Sequence, residues 1–307
     1  MANQDGWGGE WTEQKLAILR GYLEAYLKVM ANQRGRFRIA YIDAFAGTGY
    51  RRVRNKARLA GLNGLFDEEV QQYREGSARI AVDLNPGFDA YLFIEKDKAH
   101  CEELLNLASE RPESDIRVLR GDANAHLLDL ANRDWSHRRA VLFLDPYGMQ
   151  VDWSTYEAIA RTKAIDLWVL VPLGVAPNRM LPARLSQLDN NRGWRRKLDR
   201  FFGTSEWPDY FYAENVPHPD APRQRSIFGG YEPEPEQEPR KVISAEDIGH
   251  FFIHRLRSVF PCVSDNYRML RNKTGQPLYM LCFATANPSP KVQGIALRIA
   301  DHLLKAG

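Results

Sequence analysis

Four short apolar runs in this chain each close on an acidic residue, and this repeated punctuation restricts the fold more than any other feature. Tyr41-Ile42 runs into Asp43, YLFIE into Glu95, RVLRGD into Asp122 and AVLFLD into Asp145. The last run has no polar interruption, as a strand buried on both faces of a parallel sheet requires. In an open α/β sheet, ligands bind outside the carboxyl ends of the strands, so the four acids are expected to converge on one rim. One such acid alone is usually a helix cap or a turn residue. Four in register, beside a glycine turn, point to a ligand site.

The turn is AFAGTG, directly after Asp43. Gly47 and Gly49 lack the Cβ atoms that would keep a ligand from the backbone. A dinucleotide-binding turn needs a third small residue three positions after Gly49, where this chain has Arg52. A Walker-type phosphate loop needs a Lys-Ser/Thr pair, which does not follow. Glu95, at a strand tip, suits a carboxylate accepting two hydrogen bonds from a ribose diol.

At 307 residues, 44% hydrophobic and 26% charged, the chain can bury one large core, and a single domain spanning 1–307 with insertions is the economical reading. The start, MANQDGWGGE, has no basic region followed by an apolar core, and no apolar run is long enough to cross a bilayer. A cytoplasmic protein with no membrane association is expected. Cys101, Cys262 and Cys282 lack metal-type spacing and read as reduced structural thiols. Pro261-Cys262 resembles the nucleophile of cytosine ring methylases but lies beyond the Asp145 strand, out of order for that role. His250 and His254 lie one helical turn apart without a third ligand, so no metal site is expected.

The remaining elements alternate regularly. Leu16, Leu19, Leu23, Tyr26, Leu27 and Met30 recur at helical spacing after Thr12, which is placed to cap. Ser77 is expected to cap a helix over ARIAVDL, and DLWVLVPLG and YMLCFATA read as further buried strands. NKTGQP, between Tyr267 and Tyr279, predicts a terminal antiparallel hairpin. The last helix opens at Ser289-Pro290, with Val292, Ile295, Ile299 and Leu303 expected on its buried face.

Two insertions interrupt this order, at about 50–74 and about 176–240. The first carries Arg51, Arg52, Arg54, Lys56 and Arg58. The second is read as a helical basic subdomain, with Arg195, Arg196 and Arg200 near Trp194, Phe201 and Phe202, followed by an acidic Pro-rich loop at 232–239. The net charge of +3 does not itself imply a nucleic-acid partner, but both clusters follow strand ends on the ligand rim and can present a phosphate-binding face.

Taken together, the blocks WTEQKLAILRGYLEAYL, IDAFAGTG, GSARIAVD, FIEKD and LDPYG resemble the class I S-adenosylmethionine-dependent methyltransferases. More narrowly, the chain is similar to the three-Cys-motif partner family. The resemblance implies a Rossmann-like sheet with a terminal antiparallel hairpin and S-adenosylmethionine as cofactor. It also implies cofactor contacts from Asp43, Phe45, Gly47, Gly49, Glu95 and Asp122, and a neighbouring partner similar to radical S-adenosylmethionine enzymes.

Amino-group methyltransferases of this kind carry an Asp or Asn followed by Pro-Pro and an aromatic residue. The side-chain oxygen and the next backbone carbonyl accept the amine hydrogens and aim the nitrogen at the methyl group. Here Asp145 and Pro146 match, Tyr147 replaces the second proline, and Gly148 stands where the aromatic belongs. Two readings stay open. One is methylation of nucleic acid at an exocyclic base amine, with Asp145, Pro146 and Tyr147 as catalytic residues and Arg51, Arg52, Arg54, Arg195, Arg196 and Arg200 on phosphates. The other is a non-catalytic scaffold or nucleic-acid-binding subunit in which Asp-Pro-Tyr-Gly is only a β-turn.

Overall fold

A computed structural model describes residues 9–47, 76–174, 177–188, 191–213 and 239–306. Strands β1 (Arg38–Asp43), β2 (Ala90–Glu95), β3 (Ile116–Arg120), β4 (Arg138–Leu144) and β5 (Ile165–Pro172) are parallel. Strand β10 (Pro277–Thr285) is antiparallel to β5. The short β8 (Cys262–Val263) and β9 (Arg268–Arg271) both pair with β10. The sheet order is β3-β2-β1-β4-β5-β10-β8, so the chain runs outward from β1 in one direction and then restarts at β4 in the other. This is the Rossmann-like α/β architecture expected, with the hairpin β9–β10 at its end. The reversal between β1 and β4 opens the crevice where such sheets bind ligands.

Period-two alternation sorts the strand side chains into two cores. Leu142 and Leu144, Leu167, Val169 and Val171, and Met280, Cys282 and Ala284 face one layer. That layer is built from α4 (Ala123–Ala131), α5 (Trp153–Arg161), the short α6 (Pro177–Met180), α7 (Arg192–Phe202), α8 (Trp207–Phe211) and α9 (Ala245–Arg257). Val141 and Phe143, Trp168 and Leu170, and Leu281 and Phe283 face the other. There α1 (Gly9–Met30), α2 (76–82), α3 (Lys98–Ser109) and α10 (Pro290–Lys305) cover the sheet. With every residue of β5 buried, and about 25 cal/mol recovered per Å² of apolar surface, the centre of the sheet anchors both layers.

Three local expectations need correction. Helix α1 begins at Gly9, before Thr12, so Thr12 lies inside it. Ser77 is a buried residue within α2, and its hydroxyl is hydrogen-bonded to the Asp43 carboxylate. In α10 the fully buried face is Ala296, Ala300 and Leu304, one residue round from the expected stripe, while Ile299 and Leu303 of that stripe pack partly buried against the same core. Gly21 of α1 faces Leu303 of α10 so tightly that a Cβ there would lie 2.8 Å from a leucine methyl. Val292, expected inside, is 39% exposed.

The basic insertion is tied into the first core. In α7, Leu198, Phe201 and Phe202 are buried, and the α8 side chains Trp207 and Phe211 join the same cluster. The strands β6 (Tyr212–Ala213) and β7 (Arg240–Lys241) close this insertion as a small antiparallel pair. The insertion at 50–74, with Arg51, Arg52 and Arg54, lies outside the described residues, as do Gly49 and residues 232–238 of the acidic loop. No helix among the described residues is long and apolar enough to cross a membrane.

Candidate active site

The carboxyl edge of β1, β2, β3 and β4 opens into a cleft of about 660 Å³, within the range of cofactor pockets. Phe45, Ile94, Ala123 and Met149 supply apolar wall, while Glu95, Asp122, Asn124 and Asp152 supply oxygen atoms. The opposite wall is α7, whose Gly193, Arg196, Lys197 and Arg200 follow i, i+3, i+4, i+7 spacing and so form one stripe along the cleft.

Glu95 binds this site together. Its Oε2 accepts from the Gly47 N–H at 2.9 Å, and its Oε1 accepts from the N–H groups of Lys96 (2.8 Å) and Asp97 (2.9 Å). Gly47 holds a φ of +32° to make this contact, a conformation that glycine adopts most cheaply. At least three of the roughly four acceptor directions of the carboxylate are therefore used within the protein, His100 Nδ1 lies 3.8 Å from Oε1, and a diol would share the carboxylate with these partners. Asp122 caps α4 through one oxygen, Oδ1, at 3.1 Å from Ala125 N. The same residue lines the cleft.

Asn124 was missed by sequence reasoning, although it closes the block GDAN. Its amide donates to Gln150 O at 2.8 Å and accepts from Asp152 N at 2.9 Å and Thr155 Oγ1 at 2.8 Å. It thereby clamps the start of α4 to the loop after β4. Arg200 of α7 bonds Asp152 from the far wall. The two sides of the cleft are thus linked by side chains as well as by the core.

The expected site residues separate into two groups. Phe45, Glu95, Asp122, Arg196 and Arg200 line the cleft, and Gly47 reaches it through Glu95. Arg195 does not line it: one helical position away from Arg196, its guanidinium lies over the Trp207 ring, 6.0 Å from the centroid. Lys197 takes the expected place. Asp43 and Asp145 are buried behind the rim, at 0% and 4% exposure, and neither lines the cleft. Pro146 is buried, and Tyr147 packs against the core layer of α1 and α10. Gly148, at φ +75°, then turns the chain so that Met149 and Gln150 reach the cleft instead.

Behind the rim lies a buried charge cluster. Lys15 of α1, with 0% exposure, donates to Asp145 Oδ2 at 3.0 Å, and its ammonium lies 5.1 Å from the centre of the Phe143 ring. Asp43 accepts from Tyr41 Oη and Phe45 N, each at 3.3 Å, and from Ser77. Burial pushes the Asp43 carboxyl up to about 7; Asp145 pushes the same way, while Ser77, Phe45 N and Lys15 hold it down. The sequence signal for Lys15 was a lysine on the buried stripe of an otherwise apolar helix face, four residues before Leu19. His250 and Cys262 are elsewhere: His250 bonds Tyr267 Oη at 2.7 Å, and Cys262 sits in β8 beside Thr285. Among the described residues no cluster of His, Cys, Asp and Glu could hold a metal ion.

No family model matches the sequence, and neither does any curated protein. Solved structures resemble the fold. A Legionella pneumophila protein is 12% identical with a TM-score of 0.45, over 95% of this chain and 93% of its own. A spermidine synthase is 11% identical with a TM-score of 0.36, over 92% of this chain and 62% of its own. A Listeria monocytogenes protein described as an S-adenosylmethionine-dependent methyltransferase is 10% identical with a TM-score of 0.31, over 83% and 96%. At these identities and TM-scores the likenesses carry no argument about this chain.

Proposed function

We propose that this chain transfers a methyl group from S-adenosylmethionine to an amino group of nucleic acid. The observation that carries the reading is the two-sided cleft, with Glu95 and Asp122 at strand ends facing the cationic stripe Arg196, Lys197 and Arg200. One wall suits the hydroxyl groups of a nucleoside, and the other suits phosphates. In this reading Glu95 and Asp122 hold the cofactor's polar edge and Phe45, Ile94, Ala123 and Met149 its ring. When bound, S-adenosylmethionine supplies an electrophilic methyl on a sulfonium. Asp145 orients the acceptor amine, Lys15 holds that carboxylate through its hydrogen bond to Oδ2, and the proton leaves the nitrogen as positive charge develops there. The α7 cations hold the backbone of the acceptor strand. The sequence blocks resembling the three-Cys-motif partner family extend the proposal to a radical-enzyme partner and a cytoplasmic setting.

A second reading, the non-catalytic scaffold, is favoured by one observation. Asp145 lies behind the cleft lining and is already engaged by Lys15. The deciding experiment is transfer of labelled methyl from S-adenosylmethionine into total tRNA, rRNA and DNA, with and without the partner. Label in one pool, lost in Asp145→Ala while cofactor binding persists, supports the enzyme. Cofactor binding with no transfer to any pool supports the scaffold.

A further inference from the structure

A second cavity, of about 550 Å³, lies at the opposite end of the sheet, beside the amino ends of the parallel strands. Its walls are the last turns of α1, with Tyr22, Tyr26, Val29 and Met30, and the first turns of α10, with Val292, Ile295 and Ile299. Both valines at the lip are exposed, Val29 at 44% and Val292 at 39%. The close crossing at Gly21 and Leu303 fixes the two helices two to three turns away, so the space between their far ends is built into the packing.

The rim of this cavity is cationic. Arg36, Arg139 and Lys291 line it, and none of the three makes an ion pair among the described residues. Neighbouring arginines at the same edge do: Arg34 pairs with Asp89, and Arg38 with Asp115. Arg36 and Arg139 share one aromatic ring, their guanidinium carbons 4.9 Å and 3.9 Å from the centre of Phe37. Two like charges held on one ring, one of them half-buried, repel each other and want a counter-charge. The one acid in the lining, Asp166, accepts from Tyr22 Oη at 2.8 Å and Thr285 Oγ1 at 2.6 Å and also attracts Arg139, so three cations of the lining face a single buried carboxylate.

We infer that this cavity is a binding site for a small amphipathic anion, its carboxylate, sulfonate or phosphate seated between Arg36, Arg139 and Lys291 and its apolar body between α1 and α10. The inference is independent of what the carboxyl-edge cleft does. Charge-assisted contacts at the rim give orientation, and the tyrosines, Met30, Val292 and Ile295 give buried apolar contact.

The test is fluorescence titration of the full chain with anilinonaphthalene sulfonate, and with N-phenylnaphthylamine as its uncharged counterpart. Saturable binding at one site per chain is expected, about tenfold or more tighter than for the uncharged compound, as loss of a charge-assisted contact implies. Arg36→Ala combined with Lys291→Ala, both at exposed positions, should weaken it by about tenfold or more. Ile295→Trp should fill the cavity and abolish it, while Arg196→Ala with Lys197→Ala, on the other cleft, should leave it unchanged. Each variant is first matched to wild type by its far-ultraviolet spectrum and melting temperature. No saturable binding, equal affinity for the uncharged compound, or loss in the Arg196/Lys197 variant with retention in the Arg36/Lys291 variant would overturn the inference.

Discussion

The Lys15–Asp145 pair offers a measurement that separates chemistry from architecture. Two unit charges 3.0 Å apart in an effective dielectric near 20 attract by about 5–6 kcal/mol. Desolvation of two groups at 0% and 5% side-chain exposure offsets most of that, so the net worth of the pair is small while the cost of breaking it is large. Lys15→Met leaves a buried carboxylate beside Asp43; Asp145→Asn leaves a buried ammonium. Each single variant should lose about 3–5 kcal/mol in urea denaturation at neutral pH. The double variant Lys15→Met/Asp145→Asn should lose less than the sum, with a coupling of about 3 kcal/mol. High salt should leave the coupling largely intact, because buried pairs are poorly screened. Additive single effects, or a coupling that disappears in salt, would refute the buried-pair account. A double variant that is stable and still transfers methyl would further remove Asp145 from the catalytic assignment.

Other consequences can be measured independently. Glu95→Ala should weaken S-adenosylmethionine binding by about 1.5–3 kcal/mol in calorimetry; equal binding by a folded variant would remove Glu95 from the cofactor site. Asp43, raised by burial from 3.8 to about 7, keeps in the native state a proton that the unfolded chain sheds. Its favourable contribution is therefore complete below about pH 4 and declines by about 4 kcal/mol as pH rises through 7. Asp43→Asn should flatten the loss of stability between pH 4 and 7 seen in denaturant titrations, and an unchanged slope would count against it. Arg196→Ala with Lys197→Ala should lower the salt dependence of nucleic-acid affinity by about two units of log–log slope, whereas Arg195→Ala should change it far less. Gly203, at φ +66° and with a would-be Cβ 2.0 Å from the Trp153 ring, should cost about 2–4 kcal/mol as Ala. The same variant should displace α7 and weaken nucleic-acid binding; a neutral melting temperature would contradict that packing.

Much of the fold was legible because strand patterning is a direct record of burial. Runs such as AVLFL of β4 and LWVLV of β5 have no polar face to present, so they had to be central, and Asp145 directly after β4 marked the carboxyl edge. The turn NKTGQP placed the hairpin for a local reason, since Asn272 Oδ1 accepts from the backbone N–H groups of Thr274 and Gln276. What could not be read was which of neighbouring residues faces inward after tertiary packing. Arg195 and Arg196 are adjacent and alike in sequence, and only the docking of Leu198, Phe201 and Phe202 decides that Arg196 faces the cleft while Arg195 lies over Trp207. The α10 stripe failed similarly. Ala296, Ala300 and Leu304 are the fully buried side, Leu303 packs on Gly21 of α1 from beside it, and Val292 is left at the surface. Lys15 and Asn124 are long-range partners, and their roles depend on contacts 130 and 26 to 31 residues away.

The four acid-tipped strands also show why one sequence pattern does not imply one role. Glu95 and Asp122 sit where β2 and β3 approach the edge of the sheet, so their carboxylates face a cleft. Asp43 and Asp145 end the two central strands, where α1 and α2 close over the rim, and their burial forces compensation: Ser77, Tyr41 and backbone N–H for Asp43, and Lys15 for Asp145. An acceptor bound through Asp145 would therefore enter an already balanced charge group, replacing or joining the Lys15 ammonium, and would shift the Asp43 proton with it. That coupling is what distinguishes an enzyme from a scaffold here. In a working site, acceptor binding should change the number of protons taken up at pH values near 7, an effect that Asp43→Asn removes. In a scaffold the cluster is inert, and nucleic acid bound by α7 should leave proton uptake unchanged in both proteins.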